Sequence, residues 1–125
     1  MGHNILVVDD SPIIRAAFRK TLGMAGVEGE IFEAANGREA LDQLDSNWID
    51  LVLADINMPV MTGIELVDAM AENGMLETTP VIMVSTERSE LRIQELKAKG
   101  VSDYLNKPFT PEDLRDAIDQ ALASG

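Results

Sequence analysis

Five residues that could carry out chemistry each follow a short apolar run, and they are Asp9, Asp10, Asp55, Ser85 and Lys107. If the runs are strands of one parallel sheet, residues that close them face a common pocket at the carboxyl edge of that sheet. Carboxylates gathered there repel one another, and a divalent cation removes that repulsion. A lysine and a hydroxyl beside such a cation suit the binding of a phosphoryl group.

The candidate ligands favour magnesium. Carboxylate oxygens with no nearby His or Cys are hard ligands, which suit Mg²⁺, with Mn²⁺ or Ca²⁺ as alternatives. Mg²⁺ usually takes one or two carboxylates and keeps water or phosphate oxygens as its other ligands. The sequence therefore predicts a magnesium site at Asp9, Asp10 and Asp55 that stays open to an incoming phosphate.

Asp55 is the candidate nucleophile because it lies between the other groups in the expected strand order. A carboxylate can attack phosphorus and form an aspartyl phosphate. Lys107 would neutralise one phosphoryl oxygen, and Ser85 would donate a hydrogen bond to another. Each residue alone also has an ordinary structural role: Asp10 could cap the helix that begins at Pro12, and Ser85 could be a turn residue. Their joint position after neighbouring strands favours the site.

Strand-like and helix-like segments alternate five times, which is typical of a parallel sheet with helices on both faces. We predict strands near 4–9, 30–34, 50–55, 80–85 and 102–106. Four helices are indicated by caps that precede apolar residues at helical spacing, and they begin at Ser11-Pro12, Asn36-Gly37, Thr62-Gly63 and Thr110-Pro111. The fourth helix in chain order, about 88–99, has the weakest pattern.

The composition of the strands predicts their order. The first, third and fourth are continuously apolar, as strands covered on both faces are. The second and fifth mix polar and apolar residues, which is typical of edge strands. The order is then 2-1-3-4-5, and a ligand site is expected where the order reverses, between strands one and three. Asp9, Asp10 and Asp55 close those two strands.

Length and composition limit the class of protein. A chain of 125 residues is expected to be one domain, 1–125, that folds without disulfides, and it has no cysteine. It has no secretory signal and no apolar stretch near the roughly 20 residues of a membrane helix, so we expect a cytoplasmic protein. Its net charge of −12 disfavours direct binding to nucleic acid or to anionic membranes.

The motifs resemble the receiver domains of two-component response regulators, and most of all the single-domain chemotaxis regulators. The resemblance covers essentially the whole chain and rests on residues 7–11, 55–59, 62–63, 83–87 and 104–109. Any one of these motifs is weak, but together they are highly specific. The resemblance implies a flavodoxin-like receiver fold, with the strand order already predicted.

The resemblance also implies a role for each residue of the site. Asp55 would be the phosphoacceptor. The implied Mg²⁺ ligands are Asp10, Asp55 and the backbone carbonyl of Asn57, with Asp9 acting through water. The residues of phosphoryl contact and switching would be Ser85, Thr86, Lys107 and Tyr104. The Lys107-Pro108 peptide bond is typically cis in this family.

Switching and signal lifetime are assigned to further side chains by the same resemblance. Ser85 stands where many relatives have Thr, and Tyr104 would turn inward when Ser85 is drawn toward the phosphate. Asn57 and Glu87 would flank the path of the water that hydrolyses the acyl phosphate. Both are polar, as in fast-cycling chemotaxis regulators, which favours a short-lived signal. Thr86, larger than the Ala or Gly common there, would partly obstruct the path.

The implied function is a two-state signalling switch. A histidine kinase or phosphotransfer protein would donate a phosphoryl group to Asp55 with Mg²⁺ present. The face formed by the fourth predicted helix, strand five and the last helix would then bind a downstream protein target or phosphatase. The protein would not be an enzyme beyond self-phosphorylation from small donors and autodephosphorylation. It would be a monomer or a phosphorylation-dependent dimer.

Three alternative functions compete with this one. The chain could be a receiver domain of a larger regulator with a DNA-binding or enzymatic output domain. An aspartyl-phosphate phosphatase is disfavoured because Asp55-Ile56-Asn57 lacks the second acid of the Asp-x-Asp motif, and no residue is a candidate general acid. A flavodoxin is disfavoured because the acidic residues of the first loop would repel the phosphate of FMN.

Overall fold

A computed structural model of the chain describes residues 2–86 and 89–124. The described residues form five strands, β1 (Ile5–Val8), β2 (Ile31–Ala34), β3 (Leu51–Ala54), β4 (Val81–Ser85) and β5 (Asp103–Asn106). They also form six helices, α1 (Pro12–Met24), α2 (Gly37–Ser46), α3 (Gly63–Glu72), α4 (Met75–Thr78), α5 (Glu90–Lys99) and α6 (Pro111–Ser124). The strands pair in parallel in the order β2-β1-β3-β4-β5, which confirms the predicted fold class.

The short helix α4 was not predicted. It has four residues, and the position before it is Gly74 in the left-handed conformation, with φ 81° and no side-chain cap. A single turn shows no apolar period, so neither of the usual helix signals was available. The helix predicted at about 88–99 is therefore α5, and the last predicted helix is α6. Within the described residues no helix has both the length and the apolar character to span a bilayer.

The burial of the strands explains their order. Every residue of β1, β3 and β4 is buried, whereas β2 and β5 are only partly buried. Helices cover both faces of the sheet, so both faces of the three central strands are shielded from solvent. These strands are therefore apolar throughout. The two outer strands have one neighbour each, and polar side chains are tolerated there.

Side chains alternate between two apolar layers. Leu6 and Val8 belong to the layer that includes residues of α2, α3 and α5, while Ile5 and Val7 belong to the layer with α1 and α6. Successive residues of a strand point to opposite faces, so a continuous apolar run supplies both layers. Full burial of one such side chain contributes about 2 kcal/mol. The packing of both layers fixes the strand register on which the site depends.

Candidate functional site

The parallel register aligns the ends of the central strands. Val8 lies opposite Ala54, so Asp9 and Asp55 leave neighbouring strands at the same level of the sheet. Asp9, Asp10 and Asp55 each offer a carboxylate oxygen, and these oxygens lie within 4.8 Å of one another. Asp9 is buried, Asp55 is half-buried and Asp10 is exposed. The structure thus brings together the three acids that the sequence assigned to one site.

The two carboxylate oxygens of Asp9 differ in their hydrogen bonding. Its Oδ1 accepts a hydrogen bond from the backbone N–H of Ser11 at 2.9 Å. Its Oδ2 is buried and has no hydrogen-bond partner in the described part of the chain, with the Lys107 Nζ at 3.6 Å. A buried carboxylate oxygen without a hydrogen bond carries a desolvation cost that a bound cation offsets. Together with two further carboxylates, it fits a hard divalent cation such as Mg²⁺.

Asp10 does not cap helix α1. The hydroxyl of Ser11 accepts from the backbone N–H of Ile14 at 3.3 Å and provides the cap, with Pro12 at the first helical position. The alternative role for Asp10 is therefore wrong for a physical reason, because the residue after it already satisfies the helix end. Asp10 stays exposed at the mouth of the acidic cluster.

Asp55 sits in an environment that disfavours its charged form. Burial raises the pKa of its carboxyl above the ordinary value, and the negative charge of Asp9 adds to the rise. The Lys107 ammonium and the backbone N–H groups of Ile56 and Asn57 oppose it, but they do not cancel it. The bond from the Ile56 N–H to Oδ1 measures 2.9 Å. A cation at this site would therefore favour the carboxylate form that nucleophilic attack requires.

Replacing Asp55 with asparagine should stabilise the folded protein at neutral pH, with a rise in Tm of a few degrees. The folded pKa of Asp55 lies above its unfolded value, so the ionised carboxyl opposes folding at every pH above the folded pKa. That cost disappears as the pH falls through the folded pKa toward the unfolded value, about 3.9. Asparagine keeps an acceptor for the N–H of Ile56.

Thermal unfolding between pH 7 and pH 4, without divalent cations, measures this effect. The gain from Asp55→Asn should shrink steadily toward pH 4. Asp42→Asn removes the same charge from an exposed position of α2 and should change Tm little at any pH. An equal or larger Tm for the wild type at pH 7 would contradict the destabilising environment of Asp55.

The ends of β4 and β5 bring the hydroxyl and the ammonium to the same edge. Ser85 is buried and lies opposite Asn106 in the parallel register. The backbone N–H of Lys107 donates to the carbonyl oxygen of Ser85 at 2.9 Å, which holds the two strand ends together. The Lys107-Pro108 peptide bond is cis, as the resemblance implied. The side chain of Lys107 is 25% exposed, and it lies beside the carboxylates.

Tyr104 is buried although it belongs to an edge strand. The residue is 8% exposed and belongs to the layer with α2, α3 and α5. Tyr104 lies opposite Met83, and Met83 is two residues before Ser85, so all three side chains are on one face of the sheet. Ser85 and Tyr104 therefore lie near each other on one face of the sheet, with Met83 as their common neighbour in the register.

The positions assigned to signal lifetime are only partly described. Asn57 and Thr86 are both exposed and follow β3 and β4 near the mouth of the site. Glu87 lies outside the described residues.

Two residues that contact the backbone of the site carry no sequence signal of that position. Gly63 was assigned only to the start of a helix, and Thr62 does cap α3 there through a capping box with Glu65. An added Cβ at Gly63 would overlap the carbonyl oxygen of Asp55, so the glycine is required by the close approach of α3 to the site. Arg15 donates to the carbonyl oxygen of Asp9, six positions earlier, at 2.7 Å, a contact that no local pattern marks.

The match to known proteins agrees with this geometry. Residues 5–119 match the family model described as the response regulator receiver domain. A chemotaxis protein CheY homolog of Campylobacter jejuni is 37% identical, over 97% of this chain and 93% of its own length. Chemotaxis protein CheY1 of Helicobacter pylori is 36% identical, over 96% of this chain and 97% of its own length.

A longer relative and a solved structure extend the comparison. The nitrate/nitrite response regulator protein NarL of Escherichia coli is 35% identical, and the match covers 95% of this chain but 54% of NarL. The structure of the chemotaxis protein CheY4 of Vibrio cholerae superposes with a TM-score of 0.86 at 41% identity, and covers 98% of this chain and all of that chain. For the chemotaxis proteins, the similarity extends over length and sequence, and for CheY4 it extends over the fold as well.

Proposed function

Because the chain belongs to the response regulator receiver family of two-component signalling, we propose that it is a phosphorylation-activated switch. Asp55 would accept a phosphoryl group from a histidine kinase or phosphotransfer protein, with Mg²⁺ beside it. The observation that carries this proposal is the cluster of three carboxylates within 4.8 Å, in which a buried Asp9 oxygen lacks a hydrogen bond in the described residues. Receiver domains bind Mg²⁺ at an acidic pocket of this kind.

Asp55 would act as the nucleophile. The backbone N–H groups of Ile56 and Asn57 hold its carboxylate, which limits the orientations from which it can attack. An oxygen–phosphorus bond forms to Asp55 while the bond from phosphorus to the donor breaks, and the donor leaves with the electron pair. The chain would hold Mg²⁺ through Asp10, Asp55 and the carbonyl of Asn57, with Asp9 acting through water. Bound Mg²⁺ supplies neutralisation of the negative oxygens.

Lys107 and Ser85 would bind the product. The new acyl phosphate adds negative charge and acceptor oxygens to a site that already holds three carboxylates. The ammonium of Lys107 lies close enough to the cluster to pair with one phosphoryl oxygen, with Nζ at 3.6 Å from the Asp9 Oδ2. The hydroxyl of Ser85 would donate to another, with Thr86 beside it. Both contacts need the phosphoryl oxygens, so they would form only in the phosphorylated state and would stabilise it.

The signal would leave the site along one face of the sheet. Ser85 and Tyr104 share that face, and the N–H of Lys107 bonds to the carbonyl of Ser85, so the ends of β4 and β5 are joined and would move together. A shift of Ser85 toward the phosphate would change the packing of Tyr104 against α5. The face formed by α5, β5 and α6 would then differ between the two states, and a partner would select one of them by its differential affinity.

Hydrolysis would end the signal, and the only chemistry proposed is transfer to Asp55 and loss from it. Water must reach the acyl phosphate past Asn57 and Thr86, which are exposed at the mouth of the site. Glu87, outside the described residues, keeps the role that the resemblance implied. The downstream partner would be a protein target or a phosphatase. Neither nucleic acid nor a membrane is expected as a direct partner at a net charge of −12.

Incubation with acetyl phosphate and Mg²⁺, followed by intact mass measurement, tests the switch chemistry. The wild type should gain one phosphoryl group, and Asp55→Asn or addition of EDTA should abolish the gain. Asp42→Asn, an acid on the exposed side of α2, should behave like the wild type. Absence of uptake by a wild type that binds Mg²⁺ would contradict the proposal. Steady turnover of p-nitrophenyl phosphate would instead favour the phosphatase.

A second candidate is the receiver part of a larger regulator. It is favoured by the match to NarL, of which the aligned region covers 54%. The chemotaxis relatives are covered over 93% and 97% of their length and favour a protein that acts alone. The length of the natural gene product distinguishes the two, and the chemistry proposed for Asp55 is the same in both.

A further inference from the structure

One guanidinium links the acidic cluster to the edge strand β2. The Nη1 of Arg15 donates to the carbonyl oxygen of Asp9 at 2.7 Å, and its Nε donates to the Oε1 of Glu33 at 2.8 Å. Arg15 lies in the first turns of α1, and its side chain is 16% exposed. It is therefore held on both sides in a largely buried position, although it takes no part in the proposed transfer chemistry.

Asp9 is fixed by three contacts that leave one oxygen for the pocket. Its backbone N–H donates to the carbonyl of Ala34 at 3.1 Å, and its Oδ1 accepts from the N–H of Ser11 at 2.9 Å. The third contact, from Arg15 to its carbonyl oxygen, comes from a side chain. The Oδ2 accepts no hydrogen bond from the described residues and lies 3.6 Å from the Lys107 Nζ, so it is the oxygen left for the pocket. Loss of the Arg15 contact would free the peptide between Asp9 and Asp10 to rotate.

We propose that Arg15 is a positioning residue for the divalent cation. Its guanidinium holds the peptide that follows Asp9, so that the carboxylates of Asp9 and Asp10 keep the orientation that receives the ion. Glu33 fixes the guanidinium, and its carboxylate offsets part of the positive charge that would otherwise repel a cation nearby. The inference rests on the proposed function, because it takes the cluster of Asp9, Asp10 and Asp55 as the Mg²⁺ site.

Arg19 provides a matched control because it pairs with the same Glu33. Its Nε donates to the other oxygen of Glu33, Oε2, at 2.5 Å, and its Nη2 donates to the carbonyl of Ile31 at 2.9 Å. Both arginines thus bind the same carboxylate, but of the two only Arg15 also binds the backbone of Asp9. Removing either one takes away a single positive charge. Loss of charge alone would tighten Mg²⁺ binding in both variants, whereas loss of positioning would weaken it in Arg15→Ala.

Calorimetric titration of the full chain with Mg²⁺ alone tests the inference. Arg15→Ala should raise the Kd for Mg²⁺ by about 10-fold, in the range found when groups that orient metal ligands are removed. Arg19→Ala should leave the Kd unchanged or lower it. Equal changes in the two variants, or tighter binding by Arg15→Ala, would overturn the positioning role.

A charge-conserving variant keeps the test valid if Arg15→Ala does not fold. One ammonium cannot bond the Asp9 carbonyl and Glu33 with the geometry of a guanidinium. Arg15→Lys should therefore weaken Mg²⁺ binding more than Arg19→Lys does, with thermal unfolding to verify that both are folded. Equal Mg²⁺ affinity of Arg15→Lys and Arg19→Lys would overturn the inference but not the proposed function. A wild type that binds no Mg²⁺ would overturn both the proposed function and the inference.

Discussion

Replacing Gly63 with alanine should destabilise the protein by about 3 kcal/mol, the upper range for an overpacked site. The added Cβ would overlap the carbonyl oxygen of Asp55 and would lie 2.6 Å from the Cε of Met83. The methionine can rotate away, but the carbonyl belongs to the backbone that carries the proposed nucleophile, Asp55. The N–H of Gly63 also donates to the carbonyl of Ile56 at 2.8 Å, so α3 cannot move away without breaking that bond.

Urea unfolding of Gly63→Ala and of Gly23→Ala measures this effect against a matched substitution. A Cβ at Gly23, within α1, meets no atom within 4 Å. Alanine there should stabilise the protein by up to about 1 kcal/mol, because glycine lowers helix stability. Phosphoryl uptake from acetyl phosphate should slow in Gly63→Ala only. Equal stability of the two variants would mean that α3 does not approach Asp55 as closely as described.

The strand order could be predicted because a strand that is buried on both faces is apolar at every position. Residues 5–8, 51–54 and 81–84 are apolar throughout, and the structure buries every one of them. Glu33 in β2 and Asp103 in β5 interrupt the other two runs, and both lie in edge strands. Once the order is known, the carboxyl ends of β1 and β3 must adjoin, and the meeting of Asp9 with Asp55 follows from the register.

The supporting contacts of the site could not be predicted, because they join residues that are distant in sequence. Arg15 and Glu33 are 18 positions apart and meet only after β2 has paired with β1. Gly63 follows a capping residue, so its local pattern is fully explained by the helix start, and the approach to Asp55 leaves no separate signal. Tyr104 lies in an edge strand, yet it is buried in the apolar layer that includes α5. Tertiary packing decides all three.

The site carries more negative than positive charge, which favours the binding of a cation. Three carboxylates share a small volume with the ammonium of Lys107, and the pKa of Asp55 stays raised despite that ammonium. We therefore expect Lys107 to act in two opposed ways. It would compete with a cation for the carboxylates, but it would attract the phosphoryl oxygens that arrive later.

Lys107→Met should consequently change two properties in opposite directions. Mg²⁺ should bind several-fold more tightly, because an ammonium 3.6 Å from the Asp9 Oδ2 is removed and the cluster becomes more negative. Phosphoryl uptake by Asp55 at saturating Mg²⁺ should fall by about 100-fold, the usual cost of losing one group that stabilises charge in the transition state. Calorimetry with Mg²⁺ and the rate of mass gain with acetyl phosphate measure the two effects.

Lys99→Met separates contact from net charge. Lys99 pairs with Asp68 at 2.8 Å, between α5 and α3, and its loss changes the charge of the protein by the same amount. We expect it to leave both Mg²⁺ affinity and phosphoryl uptake close to the wild-type values. If the two lysine variants changed alike, the effect of Lys107 would be long-range charge alone. If Lys107→Met bound Mg²⁺ more tightly but took up phosphate at the wild-type rate, the ammonium would compete with the cation without contacting the transferred group.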